Sequence, residues 1–379
     1  MKIVHVLPSL ARGGGERLAI ELANRQVDAG HEVSFVIGSS LPPDHTHGGL
    51  DPRVSVHEVS AASGRSRYGA MLPWIWRKRE WLRSQDVLHS HLTYGALFAT
   101  AFKRVSASRR PAIVETYHAV GMPIPKSARW GHARLASQWD GLSLMVEDPY
   151  WHRFSERHPK IVSEVIPVGV DSPPVGELSS ADREQYRSAL GISAGALVAT
   201  SIGRLVAERR PRVYLPMFAE LNRLIDRDVH FVLGGDGPER EAMEADAKAL
   251  GIREKLHFAG LVREIERPLA ISDLYVTANV GPVSGVAGLQ AIAAGIPTIA
   301  IQLRDDYSPP ATDWIWSSRD PKEIAQRAAD LLRNPAAAKA LVAAQQQHLE
   351  AHHSAAAMAA AYERFYQAAI AAKDRSGGK

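Results

Sequence analysis

The chain has 379 residues, 45% hydrophobic and 23% charged, and carries a net charge of +4. That length is too great for one ordinary core and suits two domains; the apolar and charged fractions are those of a globular protein, and no apolar run is long enough to span a bilayer. With no cysteine, disulfides and thiolate metal sites are excluded, which fits a cytoplasmic protein, and the small positive excess favours anionic small molecules or a membrane surface over nucleic acid.

Residues 3–7 are apolar and β-rich and predict a first strand; the opening segment is too short and too interrupted for a signal peptide. Residues 16–29 carry a helical stripe at Ala19, Leu22, Ala23 and Val27, stopped by Gly30. Residues 33–37, 87–90 and 112–116 read as further strands, with a basic helix between Pro73 and Gln85. Proline and glycine then cluster over residues 166–174, the best linker in the chain. Beyond it the alternation restarts, with strands at 197–202, 230–233, 256–258, 274–278 and 297–301 and helices at 212–225, 239–250 and from about Val286. Asp320 and Pro321 form an N-cap and N1 pair opening a helix through Leu332, and an alanine-rich helical tail covers 336–372. Such alternation implies an α/β protein whose parallel sheets are covered on both faces, in two halves around a hinge.

Four segments carry the chemistry. Gly13-Gly14-Gly15-Glu16 follows the first strand and opens the first helix, where glycines let a ligand approach the backbone and the helix N-terminus favours negative charge. Leu18 stands where a dinucleotide fingerprint needs its third glycine, so that motif fails. Gly203 to Pro211 leaves the first strand of the second half and holds Arg204 and Arg209, two cations able to converge on a diphosphate. Leu233-Gly234-Gly235-Asp236-Gly237-Pro238 is a tight turn into a helix with proline near its start. Finally, the loop Val280-Gly281-Pro282-Val283-Ser284-Gly285 joins a buried strand to a small-residue helix from Val286 that includes Gln290, a second place for an anion. His348 and His352 lie one turn apart without a third ligand, so the sequence calls for no metal. Trp74 to Arg83 mixes aromatics with cations, which reads equally as a lipid-interface stripe or as an amphipathic helix with its tryptophans packed on a sheet.

Taken in order, these segments resemble the family-4 glycosyltransferases, which have the GT-B fold. The resemblance covers the N-terminal glycine loop, the His89-x-His91 segment, His118, the Ile166-Pro167-Val168-Gly169-Val170-Asp171 linker, the Gly203-Arg204 loop, the Gly235-Asp236-Gly237-Pro238 turn, His257 to Leu261, the donor loop and the helical tail. It implies an α/β GT-B architecture: two Rossmann-like parallel-sheet domains facing across a cleft, residues 1–170 on the acceptor side and 178–350 binding a nucleotide sugar. A final helix at 355–379 would cross back to the first domain. The implied activity is a retaining hexosyltransferase that needs no metal or cofactor. Its donor is a nucleotide diphosphate sugar, its acceptor a polysaccharide, lipopolysaccharide or lipid-linked glycan precursor of the cell envelope, and it has a peripheral membrane contact at the inner face. By the same resemblance His118 points at the transferred sugar. Gly14, Gly15, Arg204, Arg209, Gly235, Leu261, Ser284, Gly285, Val286 and Gln290 meet the donor, and Glu16 and His91 lie on the acceptor side. Where the family carries two glutamates eight positions apart, this chain has Pro282 and Gln290. That departure leaves two other readings open, a catalytically impaired homologue that binds a nucleotide sugar or a partner, and a sugar-nucleotide epimerase.

Overall fold

The computed structural model describes residues 1–11, 13–41, 49–61, 66–106, 110–118, 126–146, 149–279, 285–303 and 314–377. They fall into two compact units: Met1–Gly169 with Ser354–Lys379, and Val170–His353.

The first unit is built on the strands β1 (Lys2–Leu7), β2 (Glu32–Ile37), β3 (Ser55–Glu58), β4 (Val87–His91), β5 (Ala112–Tyr117), β6 (Gly141–Leu144) and β7 (Val162–Val165). All pair in parallel, in the order β3-β2-β1-β4-β5-β6-β7. The connecting helices are α1 (Gly14–Asp28), α2 (Ser66–Arg83), α3 (Leu92–Val105), α4 (Lys126–Ala136) and α5 (Pro149–Arg157). Side chains alternate across a strand, and β1 shows the consequence. Val4 and Val6 join one apolar layer with Leu88, Trp74, Phe98 and Trp151, whereas His5 points to the opposite face. On that face register places His5 beside His89, and Thr116 between His91 and Ser143. A buried row of polar side chains therefore crosses the middle of the sheet.

The second unit contains β8 (Leu197–Ile202), β9 (Val229–Gly234), β10 (Leu256–Gly260), β11 (Leu274–Asn279), β12 (Thr298–Gln302) and β13 (Ser317–Ser318), parallel in the order β10-β9-β8-β11-β12-β13. Its helices are α6 (Ser180–Ala189), α7 (Tyr214–Leu224), α8 (Arg240–Ala249), α9 (Glu266–Ala270), α10 (Val286–Ala293), α11 (Pro321–Arg333) and α12 (Pro335–His352). Local signals set several boundaries: Ser179 and Asp182 form a capping box at α6, and Asp320 accepts from the Lys322 amide ahead of Pro321 at α11. The chain then returns to the first unit through α13 (Ala355–Gly377).

One expectation from the sequence is corrected. The basic helix does not begin at Pro73: α2 starts at Ser66 and contains Pro73. The proline lacks only its own N–H, whose acceptor would be Gly69, an exposed residue whose carbonyl can turn to water. The alanine-rich tail is two helices, broken at His353 and Ser354, the point where the chain passes from one unit to the other.

Candidate functional site

In an open α/β sheet, ligands bind outside the carboxyl ends of the strands where strand order reverses. In the second unit that point lies between β8 and β11, with β9 and β12 on their outer sides. The loop after β8 carries Arg204 and Arg209, both exposed; Arg209 ends a short 3-10 turn, Ala207–Arg209. Among the described residues neither guanidinium has a carboxylate or hydrogen-bond partner. Crowding by protein atoms, and then the charge of Arg204, hold Arg209 below the ordinary arginine value. Two cations are thus held near one another at the reversal of strand order.

Backbone hydrogen bonds fix this loop. Gly203 N donates to the Gly234 carbonyl (2.8 Å), Leu205 N to that of Asp236 (3.0 Å), Glu239 N to that of Leu205 (3.0 Å) and Gly235 N to that of Gly260 (2.7 Å). Gly235, at φ 135°, approaches so closely that a Cβ there would lie 1.9 Å from the Gly203 carbonyl oxygen. The glycine turn thus clamps the arginine loop to the ends of β9 and β10, and Leu261, half-exposed, follows directly. Gly285 is the N-cap of α10 and offers no side chain, so among the described residues no side chain caps the first N–H groups of the helix from Val286. Gln290 is buried in α10, and among the described residues its amide makes no hydrogen bond. Pro282 and Ser284 lie outside the described residues.

In the first unit the order reverses between β1 and β4. Gly14, Gly15 and Glu16 form the first turn of α1 directly after β1; Gly13, the N-cap, supplies no side-chain bond. After β4 the backbone of Leu92 adopts φ 58°, a strained value for a residue with a side chain. His118 follows β5 and lies against α1: a Cβ on Gly15 would stand 3.1 Å from its Nδ1. His91, expected on the acceptor side, is instead fully buried behind His118, with one ring nitrogen 3.0 Å from His118 Nε2 and the other 3.0 Å from His5 Nδ1. Both nitrogens are occupied, so it reaches a ligand only through His118.

Sequence reasoning singled out His89 beside His91, and it missed His5, Gln26 and Thr116 in the rest of this row. His5 Nε2 donates to Gln26 Oε1 (2.8 Å), the Gln26 amide donates to the Tyr366 hydroxyl (3.1 Å), and His89 bridges Tyr366 (2.6 Å) and Thr116 (2.8 Å). The available signal was the alternation of histidines at 89 and 91 in a strand, which puts both on one face. Ring nitrogens of His5, His89 and His91 lie within 4.8 Å of one another, near enough for a metal, yet each nitrogen of the three rings already has a hydrogen-bond partner. Burial pushes His5 and His118 down to about 4 and holds His89 and His91 well below their ordinary value.

Residues 12–171 match the model of glycosyltransferase family 4, and residues 182–348 that of glycosyl transferases group 1. Together the two models span most of the sequence, and the chain belongs to the glycosyltransferases. The alpha-monoglucosyldiacylglycerol synthase of Streptococcus pneumoniae is 28% identical over 145 residues, 37% of this chain and 33% of that protein. The GalNAc-alpha-(1->4)-GalNAc-alpha-(1->3)-diNAcBac-PP-undecaprenol alpha-1,4-N-acetyl-D-galactosaminyltransferase of Campylobacter jejuni is 25% identical over 311 residues, 80% of this chain and 76% of that protein. The chain therefore spans about a third of the first relative's length and about three quarters of the second's. Anabaena HepE, solved with UDP and glucose, superposes with a TM-score of 0.72 at 17% identity, covering 96% of this chain and 98% of that one. At that identity the likeness carries the fold alone, the GT-B architecture of two parallel-sheet α/β domains.

Proposed function

We propose that this chain is a retaining hexosyltransferase that moves a sugar from a nucleotide diphosphate donor to a lipid-linked glycan acceptor, without a bound metal. The observation that carries this reading is the pair Arg204 and Arg209, free of protein partners among the described residues and held by the glycine clamp at the strand-order reversal, where α10 follows the neighbouring strand β11. Negative charge grows on the departing diphosphate as the glycosidic bond breaks. Two guanidinium groups and helix N–H groups already oriented toward that position stabilise it without reorganising. Gln290 takes a ribose hydroxyl through its amide oxygen, and His118 meets the sugar.

The acceptor class draws on two relatives, one named for a diacylglycerol glycolipid and one for an undecaprenol diphosphate glycan. It draws also on α2, where Tyr68, Leu72 and Trp76 stand four residues apart on one exposed face, Trp76 60% exposed, while Met71, Trp74, Ile75 and Leu82 bury the other. Arg77 and Lys78 are exposed beside that stripe, and the Arg79 guanidinium lies 4.5 Å from the Trp76 ring. An apolar stripe flanked by cations suits an anionic membrane surface. No helix among the described residues is long and apolar enough to cross a membrane.

Because Gln290 stands where the family carries a glutamate, a second reading is a nucleotide-sugar-binding partner subunit without turnover. One assay separates the readings: a panel of nucleotide sugars incubated with and without extracted membrane lipids. Nucleoside diphosphate release that requires the lipid extract, with an α-linked product from an α-linked donor, is the expected result. Binding without release supports the partner subunit, and donor conversion without any acceptor supports an epimerase.

A further inference from the structure

The hydrogen-bond row behind His118 can be directed atom by atom. A neutral imidazole has one N–H and one lone pair, so in a row of neutral rings each bond dictates the next. His118 Nε2 lies 3.0 Å from His91 Nδ1, His91 Nε2 3.0 Å from His5 Nδ1, and His5 Nε2 2.8 Å from the Gln26 side chain. Two assignments satisfy every link. In one, all three rings carry hydrogen on Nε2, and the row ends by donating to the amide oxygen of Gln26. In the other, the amide is reversed and all three carry hydrogen on Nδ1.

The two differ at the open end. His118 Nδ1 is sealed from solvent and has no hydrogen-bond partner among the described residues. It faces Gly15 in the first turn of α1, where backbone N–H groups lack intrahelical acceptors and the helix dipole is positive. An N–H there would oppose like partial charges and stay unpaired, whereas a lone pair is attracted. At the closed end Gln26 presents its oxygen to His5 and its NH₂ to Tyr366, whose hydroxyl lies 2.6 Å from His89 Nδ1; a phenol hydroxyl donates or accepts, so the open end decides between the two assignments.

We propose that Gln26, His5 and His91 are positioning residues that lock His118 as its Nε2–H tautomer, with its Nδ1 lone pair held against the positive start of α1. The proposal deepens the reading of His118 as a substrate-facing residue and rests on it. The row ends on an amide, which does not take a proton from His5, so it holds a tautomer and does not conduct protons. Desolvation keeps His5 and His118 neutral above about 4, as the lock requires.

Long-range proton–nitrogen NMR of protein labelled with ¹⁵N-histidine reads the tautomer, with His118 assigned by the signals lost in His118→Gln. The parent should show His118 protonated at Nε2 and bare at Nδ1. Gln26→Leu, which removes the acceptor for His5, should mix the His118 tautomers and lower turnover several-fold. Gln26→Glu, whose carboxylate still accepts from His5, should restore both. A parent His118 protonated at Nδ1, or a Gln26→Leu protein with an unchanged His118 pattern, overturns the lock; the parent spectrum decides even if Gln26→Leu does not fold. Full turnover by His118→Gln together with an intact tautomer in the parent overturns the substrate role and leaves the lock standing, so the two failures are told apart.

Discussion

Arg209 and Arg210 are sequence neighbours with opposite fates. Arg210 sits in the left-handed region at φ 50° and donates to the Leu303 carbonyl at 2.9 Å, a bond that braces the loop. Arg209 has no such partner among the described residues. Arg209→Ala should therefore weaken nucleoside diphosphate binding by about 1.5–3 kcal/mol, the worth of a hydrogen bond to a charged group, while Arg210→Ala should lower the melting temperature more than the affinity. Equal affinities in titration calorimetry would remove Arg209 from the site. Gln290 makes a subtler case, buried with its amide unpaired among the described residues. Gln290→Leu should cost on the order of 1–2 kcal/mol in nucleotide affinity, and Gln290→Glu should be tolerated. A leucine variant that binds as tightly as the parent would refute the ribose contact and favour the partner-subunit reading. That both arginines lie on the loop after β8 was legible in the sequence because a strand followed by a glycine and cations announces a loop locally, whereas Gln290 was singled out only through the family resemblance. His5, Gln26 and Tyr366 were not legible, since nothing local says that a strand, a helix and a tail residue 340 positions from Gln26 will meet.

At the scale of elements, α13 is what closes the polar face of the first sheet. Tyr362 and Tyr366 are buried there, with hydroxyls 2.6 Å from Thr116 Oγ1 and His89 Nδ1, and a Cβ on Gly141 would strike the Phe365 ring at 2.8 Å. Truncation at residue 355 removes these rings and exposes the histidine row. Hydrogen exchange should accelerate in residues 1–160 as well as at the new terminus, and unchanged protection there would contradict this packing. The same layer predicts a pH dependence. In the unfolded chain His118 binds a proton below its ordinary value of 6.5, but in the fold it stays neutral until about 4. Between those limits the unfolded state holds more protons, so His118 contributes a loss of stability as pH falls through that window and nothing above it. The Glu115–His132 pair, with both groups raised, titrates with the opposite sign, so the informative quantity is a difference. The melting temperature should fall less steeply from pH 7 to 4.5 in His118→Gln than in the parent, and parallel curves would count against a buried neutral His118. On α2, Trp76→Ala combined with Leu72→Ala should abolish most sedimentation with anionic vesicles while leaving the melting temperature within a few degrees, because both side chains are mostly exposed; undiminished sedimentation would exclude this helix as the contact.

Across the whole molecule, strand–helix alternation and the proline-rich linker made two parallel-sheet domains legible, because the period of apolar residues reports which faces are buried. The short strands β3, β6 and β7 escaped, being four residues each and carrying Ser, His, Glu or Gly in place of a β-branched run. The break at His353 and Ser354 was expected only through the family resemblance, for an alanine-rich segment has helical propensity on both sides and the passage between units is what stops it. What the two sheets share is a reversal of strand order with a glycine N-cap on the helix that follows a strand beside it. The central claim is that the second of these holds the diphosphate of a nucleotide sugar between Arg204 and Arg209. Titration calorimetry of nucleoside diphosphates and the matching monophosphates against the parent and the Arg204→Ala/Arg209→Ala double variant tests it most directly. The account predicts that the parent prefers one diphosphate over its monophosphate by at least tenfold and that the double variant loses this preference; equal binding of the two by the parent, or an undiminished preference in the double variant, would contradict it.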